Sequence, residues 1–328
     1  MTISEVHPSG SSTIEVNPMR PPEFERAFFI ARDLGCEVLR TEVVNDREHH
    51  YIRGVVDGFE HRGWYTPPSE TDSGLTVAVK PGWGEIVDDG IGWELHRRLA
   101  KTLPSVALFS HETDGMGSYA THMGIRRLMS HGLDEMSEQG LELLRRVSDD
   151  RRLVVAGISM GTVILNRIMD RNIEAGMPVN IEGALYLAPA AVDPRHVFRD
   201  MGLRFFPGLS LDIGRELITT DRRYIGQLCL SLVRSRPSLA NLLPLGKQGI
   251  DLLRGTPDEE VEMVLDNYPI DVIVGENDSV GQAGRWLTRA EDHPNLRVHV
   301  LRGRGHGIAI KPYEQARKMG AIIYDQYL

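Results

Sequence analysis

The sequence predicts an α/β fold: a mostly parallel β-sheet with helices on both faces. Two observations carry this. Short, almost wholly apolar runs alternate with stretches of helical periodicity, and a strand that is apolar on every residue is one covered on both sides. The composition agrees, since 41% hydrophobic and 25% charged residues in a chain of 328 is ordinary globular usage that excludes collagen-like, coiled-coil and disordered classes.

The elements follow in order. Residues 1–20, with Pro8, Ser9, Gly10, Ser11 and Ser12, read as a flexible leader, and Glu23–Arg32 behind Pro21-Pro22 as a short amphipathic helix stopped by Gly35. Glu37–Val44 and His50–Val56 alternate and are rich in β-branched residues, so they read as strands. Strand Leu75–Val79, the turn Pro81-Gly82-Trp83-Gly84 and a helix near Trp93–Leu103 come next. Strand Val106–Ser110, helix Leu133–Val147, strand Leu153–Ala156, helix Thr162–Met169 and strand Glu182–Leu187 continue the rhythm. It then breaks. Residues 192–265 hold helical spacing (Ile225, Leu228, Leu232, Val233) and no convincing strand, and Asp193-Pro194 and Thr256-Pro257-Asp258-Glu259 resemble helix starts. The sheet resumes with Ile270–Val274, helix Val280–Ala290, strand Leu296–Leu301 and a closing helix near Pro312–Tyr324. The expected organisation is a leader and short helix at 1–35, a core of 36–191 and 266–328, and a helical insertion at 192–265.

Charge and cysteine usage narrow the function. The formal net charge is −9, and basic pairs such as Arg126-Arg127 and Arg222-Arg223 are short and read as solvated helix faces, so nucleic-acid binding is not expected. Cys36 and Cys229, the two cysteines, suit a reducing compartment rather than a disulfide scaffold. Neither a secretory signal nor a run of roughly 20 apolar residues is visible, so a cytoplasmic protein without a membrane span is expected.

The chemistry centres on Gly157-Ile158-Ser159-Met160-Gly161, which fits G-x-S-x-G between a strand and a helix. A sharp strand-to-helix turn there pushes the serine Oγ out over the sheet edge, and glycines two before and two after leave room for strand and helix to approach. A plain tight turn would share the pattern, so further residues are needed. Strand Ile270–Val274 runs into Gly275-Glu276-Asn277-Asp278, and Leu296–Leu301 into Gly303-Arg304-Gly305-His306-Gly307. An acid past one strand end and a histidine past the next lie at the C-terminal sheet edge, as Ser159 does, where open α/β folds bind ligands.

The order Ser…Asp…His on these elements resembles the α/β-hydrolase superfamily over roughly residues 36–328, with the insertion in the position of that family's cap. The resemblance implies an eight-stranded, mostly parallel sheet and acyl transfer or hydrolysis at a serine. Carried over, Ser159 matches the nucleophile, His306 the base and Asp278 the acid, since Asp278 fits the family's Gly-x-x-Asp spacing better than its rival Glu276 and Asp271 opens its strand at the wrong end. The oxyanion donors are the backbone N–H of Met160 and one from the turn after Leu75–Val79, either Trp83 or Gly82; Pro81 stands where the family commonly has histidine.

Other residues attract less weight. Glu48-His49-His50 could suggest a metal, but adjacent strand histidines point to opposite faces, and a solvated strand edge is expected. His111 and Asp114, past Val106–Ser110, could line the pocket. Gly115-Met116-Gly117 lacks the lysine and helix of a phosphate loop, and Phe198, Phe205 and Phe206 either contact an apolar substrate or pack the cap. No cofactor or metal is expected. The expected substrate is a small molecule with an apolar acyl group; serine at the elbow disfavours the epoxide-hydrolase and dehalogenase branches. Acyltransferases, carbon–carbon bond hydrolases and a non-catalytic ligand receptor share these motifs.

Overall fold

The computed structural model describes residues 35–56, 59–82, 87–88, 90–113, 126, 129–148, 151–190, 214 and 258–328. The leader, most of the 192–265 insertion, and with them Cys229, Phe198, Phe205, Phe206, Asp193-Pro194 and Ile225–Val233 lie outside these residues, as do Asp114 and Gly115–Gly117.

Among the described residues nine strands form one sheet: β1 (Cys36–Val44), β2 (Arg47–Val56), β3 (Phe59–Thr66), β4 (Leu75–Lys80), β5 (Ala107–Thr113), β6 (Arg152–Ile158), β7 (Ile181–Leu187), β8 (Ile270–Gly275) and β9 (Leu296–Leu301). Their spatial order is β1-β2-β3-β5-β4-β6-β7-β8-β9. The first three strands are antiparallel to their neighbours, and β5, β4 and β6 to β9 run parallel. Nine strands replace the expected eight because Phe59–Thr66 is a strand that the sequence conceals. Its run Glu60-His61-Arg62-Gly63 shows no apolar alternation, yet β3 is hydrogen-bonded on both sides and its polar residues are largely buried.

Two helical layers cover the sheet. Helices α1 (Gly90–Thr102) and α6 (Pro312–Tyr327) bury Leu95, Leu99, Met319 and Ile323 against Leu75, Val77 and Val79 of β4 and Val154 and Ile158 of β6. Helices α2 (Leu133–Ser148), α3 (Met160–Glu174), α4 (Asp258–Asn267) and α5 (Ala283–Asp292) pack on the other face against Ala78, Phe109, Val155 and Val272. Successive strand side chains thus feed opposite cores, which is why β4 and β8 are buried at every position. Val261, Val264 and Leu265, at the sequence boundary of the insertion, are part of this second core.

Two polar devices join the antiparallel strands to the rest. The buried guanidinium of Arg47 donates to the carbonyls of Pro67, Leu103 and Val106 at 2.7–3.1 Å, and to that of Ala100. It thereby satisfies carbonyls at the C-terminal end of α1 that have no partner within the helix. The second is a chain of side chains: His49 Nδ1 lies 2.7 Å from Thr66 Oγ1, which lies 2.7 Å from His96 Nε2, and His96 Nδ1 lies 2.8 Å from Ser110 Oγ. Here the expectation of a solvated edge at Glu48-His49-His50 is corrected. Strand β2 lies between β1 and β3, so both imidazoles are buried; they do point to opposite faces, His50 Nδ1 meeting Thr41 Oγ1 at 3.0 Å.

Burial, helped by Arg47, pushes His49 down to about 4. The unfolded chain therefore takes up a proton below about 6.5 that the folded chain refuses until about 4, and stability falls as pH drops through that window. The unfolding free energy from urea titrations is expected to decline between about pH 6.5 and 4.5, with His49→Phe reducing its slope by up to about 1.4 kcal/mol per pH unit. A flat profile would contradict a neutral, buried imidazole. Replacing Arg47 with Met leaves buried carbonyls unmet and should cost roughly 2–4 kcal/mol in the same denaturation assay.

Candidate active site

Strand β6 delivers the serine. Ser159 has φ +49° and ψ −117°, a backbone conformation that a side chain pays for and that marks a tight, strained turn. Its N–H donates to the Leu187 carbonyl at 2.9 Å, and its own carbonyl accepts from Thr162 N–H at 3.0 Å and from Thr162 Oγ at 2.6 Å. The flanking glycines are needed for space. A Cβ on Gly157 would sit 2.7 Å from Thr162 Cα, and one on Gly161 would sit 2.4 Å from the Lys80 carbonyl oxygen and 2.5 Å from that of Pro81.

Two other turns bring the partners. Past β8, Asp278 folds back so that its Oδ1 accepts the N–H groups of Val280 at 2.9 Å and Gly281 at 2.5 Å. Past β9, His306 begins a short 3₁₀ turn, His306–Ile310. The two loops are stitched together: Asn277 N–H donates to the Arg304 carbonyl at 2.8 Å, Glu276 N–H to that of Leu301 at 3.0 Å, and a Cβ on Gly275 would meet the Arg304 oxygen at 2.5 Å.

The geometry joins all three residues named from the sequence. Ser159 Oγ lies 3.0 Å from His306 Nε2, and His306 Nδ1 lies 3.0 and 3.1 Å from the two Asp278 carboxylate oxygens. Asp278 and His306 are 4% and 5% exposed. The rival Glu276 is exposed and accepts Gly303 N–H at 2.8 Å instead of facing the imidazole. Asp271 is buried at the far end of β8, bound by Arg297 at 2.7 Å and His299 at 2.7 Å. Burial acts to raise its carboxyl, but these hydrogen bonds outweigh it and hold the group below the usual carboxylate range.

Met160 is the first residue of α3, where backbone N–H groups have no partner one turn back and face the helix N-terminus. Gly82 lies in the turn whose Lys80 and Pro81 carbonyls press on Gly161, while Trp83 lies outside the described residues. His111, expected just past a strand, is instead inside β5, which runs on to Thr113; it is buried. Among the described residues no three His, Cys, Asp or Glu side chains are grouped to hold a metal ion. No helix among them is long and apolar enough to cross a membrane.

Sequence reasoning missed one feature beside this site: Lys80, the last residue of β4, is fully buried. The available signal was a lysine closing an apolar run, Leu75–Val79, directly before the turn.

Solved structures share the architecture at low identity. A serine hydrolase of the polyaromatic-hydrocarbon-degrading bacterium Cycloclasticus zankles aligns with TM-score 0.60 and 13% identity, over 85% of this chain and 99% of that one. An evolved variant of potato epoxide hydrolase gives 0.59 and 13% over 84% and 99%. Monoglyceride lipase of Saccharomyces cerevisiae gives 0.52 and 14% over 88% and 96%. No curated protein matches the sequence. A model of the Alpha/beta hydrolase family matches residues 76–318, the span from β4 to α6 that carries Ser159, Asp278 and His306. The chain belongs to the α/β-hydrolase family.

Proposed function

We propose that the protein is a serine hydrolase that cleaves an ester, thioester or related acyl bond through an acyl-enzyme intermediate. The observation that carries this reading is the unbroken hydrogen-bonded line from Ser159 Oγ through the His306 imidazole to the Asp278 carboxylate.

In that reading, Ser159 Oγ attacks the acyl carbonyl while His306 Nε2 takes its proton. The same proton then goes to the leaving group, whose departure gives the acyl-enzyme; a water deprotonated by His306 releases the acid and restores Ser159. Asp278 fixes the imidazole tautomer through Nδ1–H and stabilises the imidazolium. Its own charge is held by the Val280 and Gly281 amides. The Met160 N–H, with one from Gly82 or Trp83, would meet the oxyanion; one such donor typically supplies about 2.7–4 kcal/mol. The same proposal takes residues 192–265 as a cap over the site and, on cysteine usage, the cytoplasm as the location.

The direct test is labelling with a fluorophosphonate probe followed by peptide mapping. Modification of Ser159 in the wild type and none in Ser159→Ala is the expected result, whereas a folded wild type that takes no label refutes an activated nucleophile. A second test uses the elbow's packing. Gly161→Ala places a methyl group against two backbone oxygens and should slow labelling by roughly 10² as the oxyanion donors shift. Gly284→Ala, whose Cβ meets nothing within 4 Å, should label at the wild-type rate.

A further inference from the structure

At the sheet edge that carries Ser159, one face of three adjacent strands ends in basic side chains. Lys80 is the strand neighbour of Gly157, two residues before the serine. On the other side of β4, Val79 pairs with Ser110, which sets His111 alongside Lys80. Across β5 and β3, His111 opposes Gly63 and Thr113 opposes His61, so His61 and His111 are diagonal neighbours with no side chain on Gly63. Ala78 and Phe109, two residues earlier, enter the core under α2 and α3, and the His111 ring stacks on Phe109 at 5.0 Å, so this row lies on the same face.

Lys80 is 1% exposed, and His61 and His111 are 2% each. All four ring nitrogens of the two histidines lack a hydrogen-bond partner among the described residues. That is a heavy cost, since a buried polar group without a partner has given up its hydration with nothing in exchange. Burial pushes Lys80 down to about 7 against the pull of Glu112, and pushes His61 down to about 3, with Lys80 and Arg146 adding to the effect. His111 is lowered by burial, then by Lys80 and His61. Three basic groups thus crowd together with one carboxylate, Glu112, among the described residues that act on them. A cation would be repelled by the ammonium. An anion would find two ring N–H donors and a lysine, the charge-assisted pairing that makes burial of a carboxylate tolerable.

We infer that Lys80, His61 and His111 form a buried cradle for a carboxylate, and that the acyl substrate carries one at the end remote from its scissile carbonyl. The inference rests on the serine-hydrolase reading for the identity of the ligand. It makes these side chains determinants of specificity, acting on the substrate's tail and not on the reacting atoms.

The test compares p-nitrophenyl monoesters of the dicarboxylic acids from succinic to suberic with p-nitrophenyl esters of monocarboxylic acids of equal length. At one chain length the acidic ester should be preferred at least tenfold in kcat/KM, and the ratio should fall below twofold in Lys80→Met and in His61→Phe. Equal rates at every length, or a preference that survives both substitutions, overturn the inference. A second measurement is independent of turnover. Ring ¹⁵N signals of His61 and His111 should move toward the protonated form when the free dicarboxylates are added at pH 7, and should not move in Lys80→Met. Signals that stay fixed at saturating dicarboxylate mean that internal water alone meets the rings, and the inference fails. If neither ester series is hydrolysed and Ser159 takes no fluorophosphonate, the hydrolase reading fails, and the histidine signals still decide the cradle.

Discussion

The structure is organised around one close approach: the backbone of the β4 turn against the first turn of α3. Gly161 lies so near the carbonyls of Lys80 and Pro81 that only a hydrogen fits between them. That contact fixes where strand β6 must end and how sharply the chain must reverse. The positive φ of Ser159 is the backbone's answer to it, and the reversal is held by the bond that Ser159 N–H donates to the Leu187 carbonyl and those that its own carbonyl accepts from Thr162. Because the β4 turn and the helix start share this contact, the two segments that could present amide groups to an oxyanion are one packed unit.

The other half of the site depends on a similar economy. Asp278 and His306 sit on separate loops, and each loop alone would have many conformations. Backbone bonds from Glu276 and Asn277 into the β9 loop, and the absence of a side chain on Gly275, make them move together. The buried Asp278 carboxylate is oriented by two amides of its own turn, which donate to Oδ1, so that both of its oxygens face the imidazole. The strain at the elbow and the desolvated acid are both offset by packing in the surrounding parallel strands, which are buried along nearly their whole length.

How much of this was legible in the sequence differs by region. The elbow, the acid and the histidine were readable because each follows an apolar run and each needs its residue type at a fixed place relative to a strand end. Asp278 could be separated from Glu276 only by spacing; the structure adds the reason, since Glu276 is engaged by Gly303 at the surface. Strand β3 was invisible because Glu60, His61, Arg62 and Gly63 are polar or small, and their burial comes from neighbours distant in sequence. The same cause hid His49 and His50: local pattern cannot show that β2 has a strand on each side. Lys80 was missed because a lysine at a strand end ordinarily reaches solvent, and here the three-dimensional surroundings close over it.

The chain of His49, Thr66, His96 and Ser110 has a property that its distances alone do not display. Thr66 has one hydroxyl proton and two imidazole neighbours, so it donates to one ring and must accept from the other. If it donates to His96, that ring carries its proton on Nδ1 and passes a hydrogen bond to Ser110; if it donates to His49, Ser110 must donate to His96 and every arrow reverses. The four side chains therefore share one direction, set together by ring tautomer and hydroxyl orientation, and the Val44 carbonyl, which accepts from the His49 ring, is the outside contact that biases it. The link between the antiparallel strands and helix α1 is in this sense a single element, ordered from end to end by the direction its protons take.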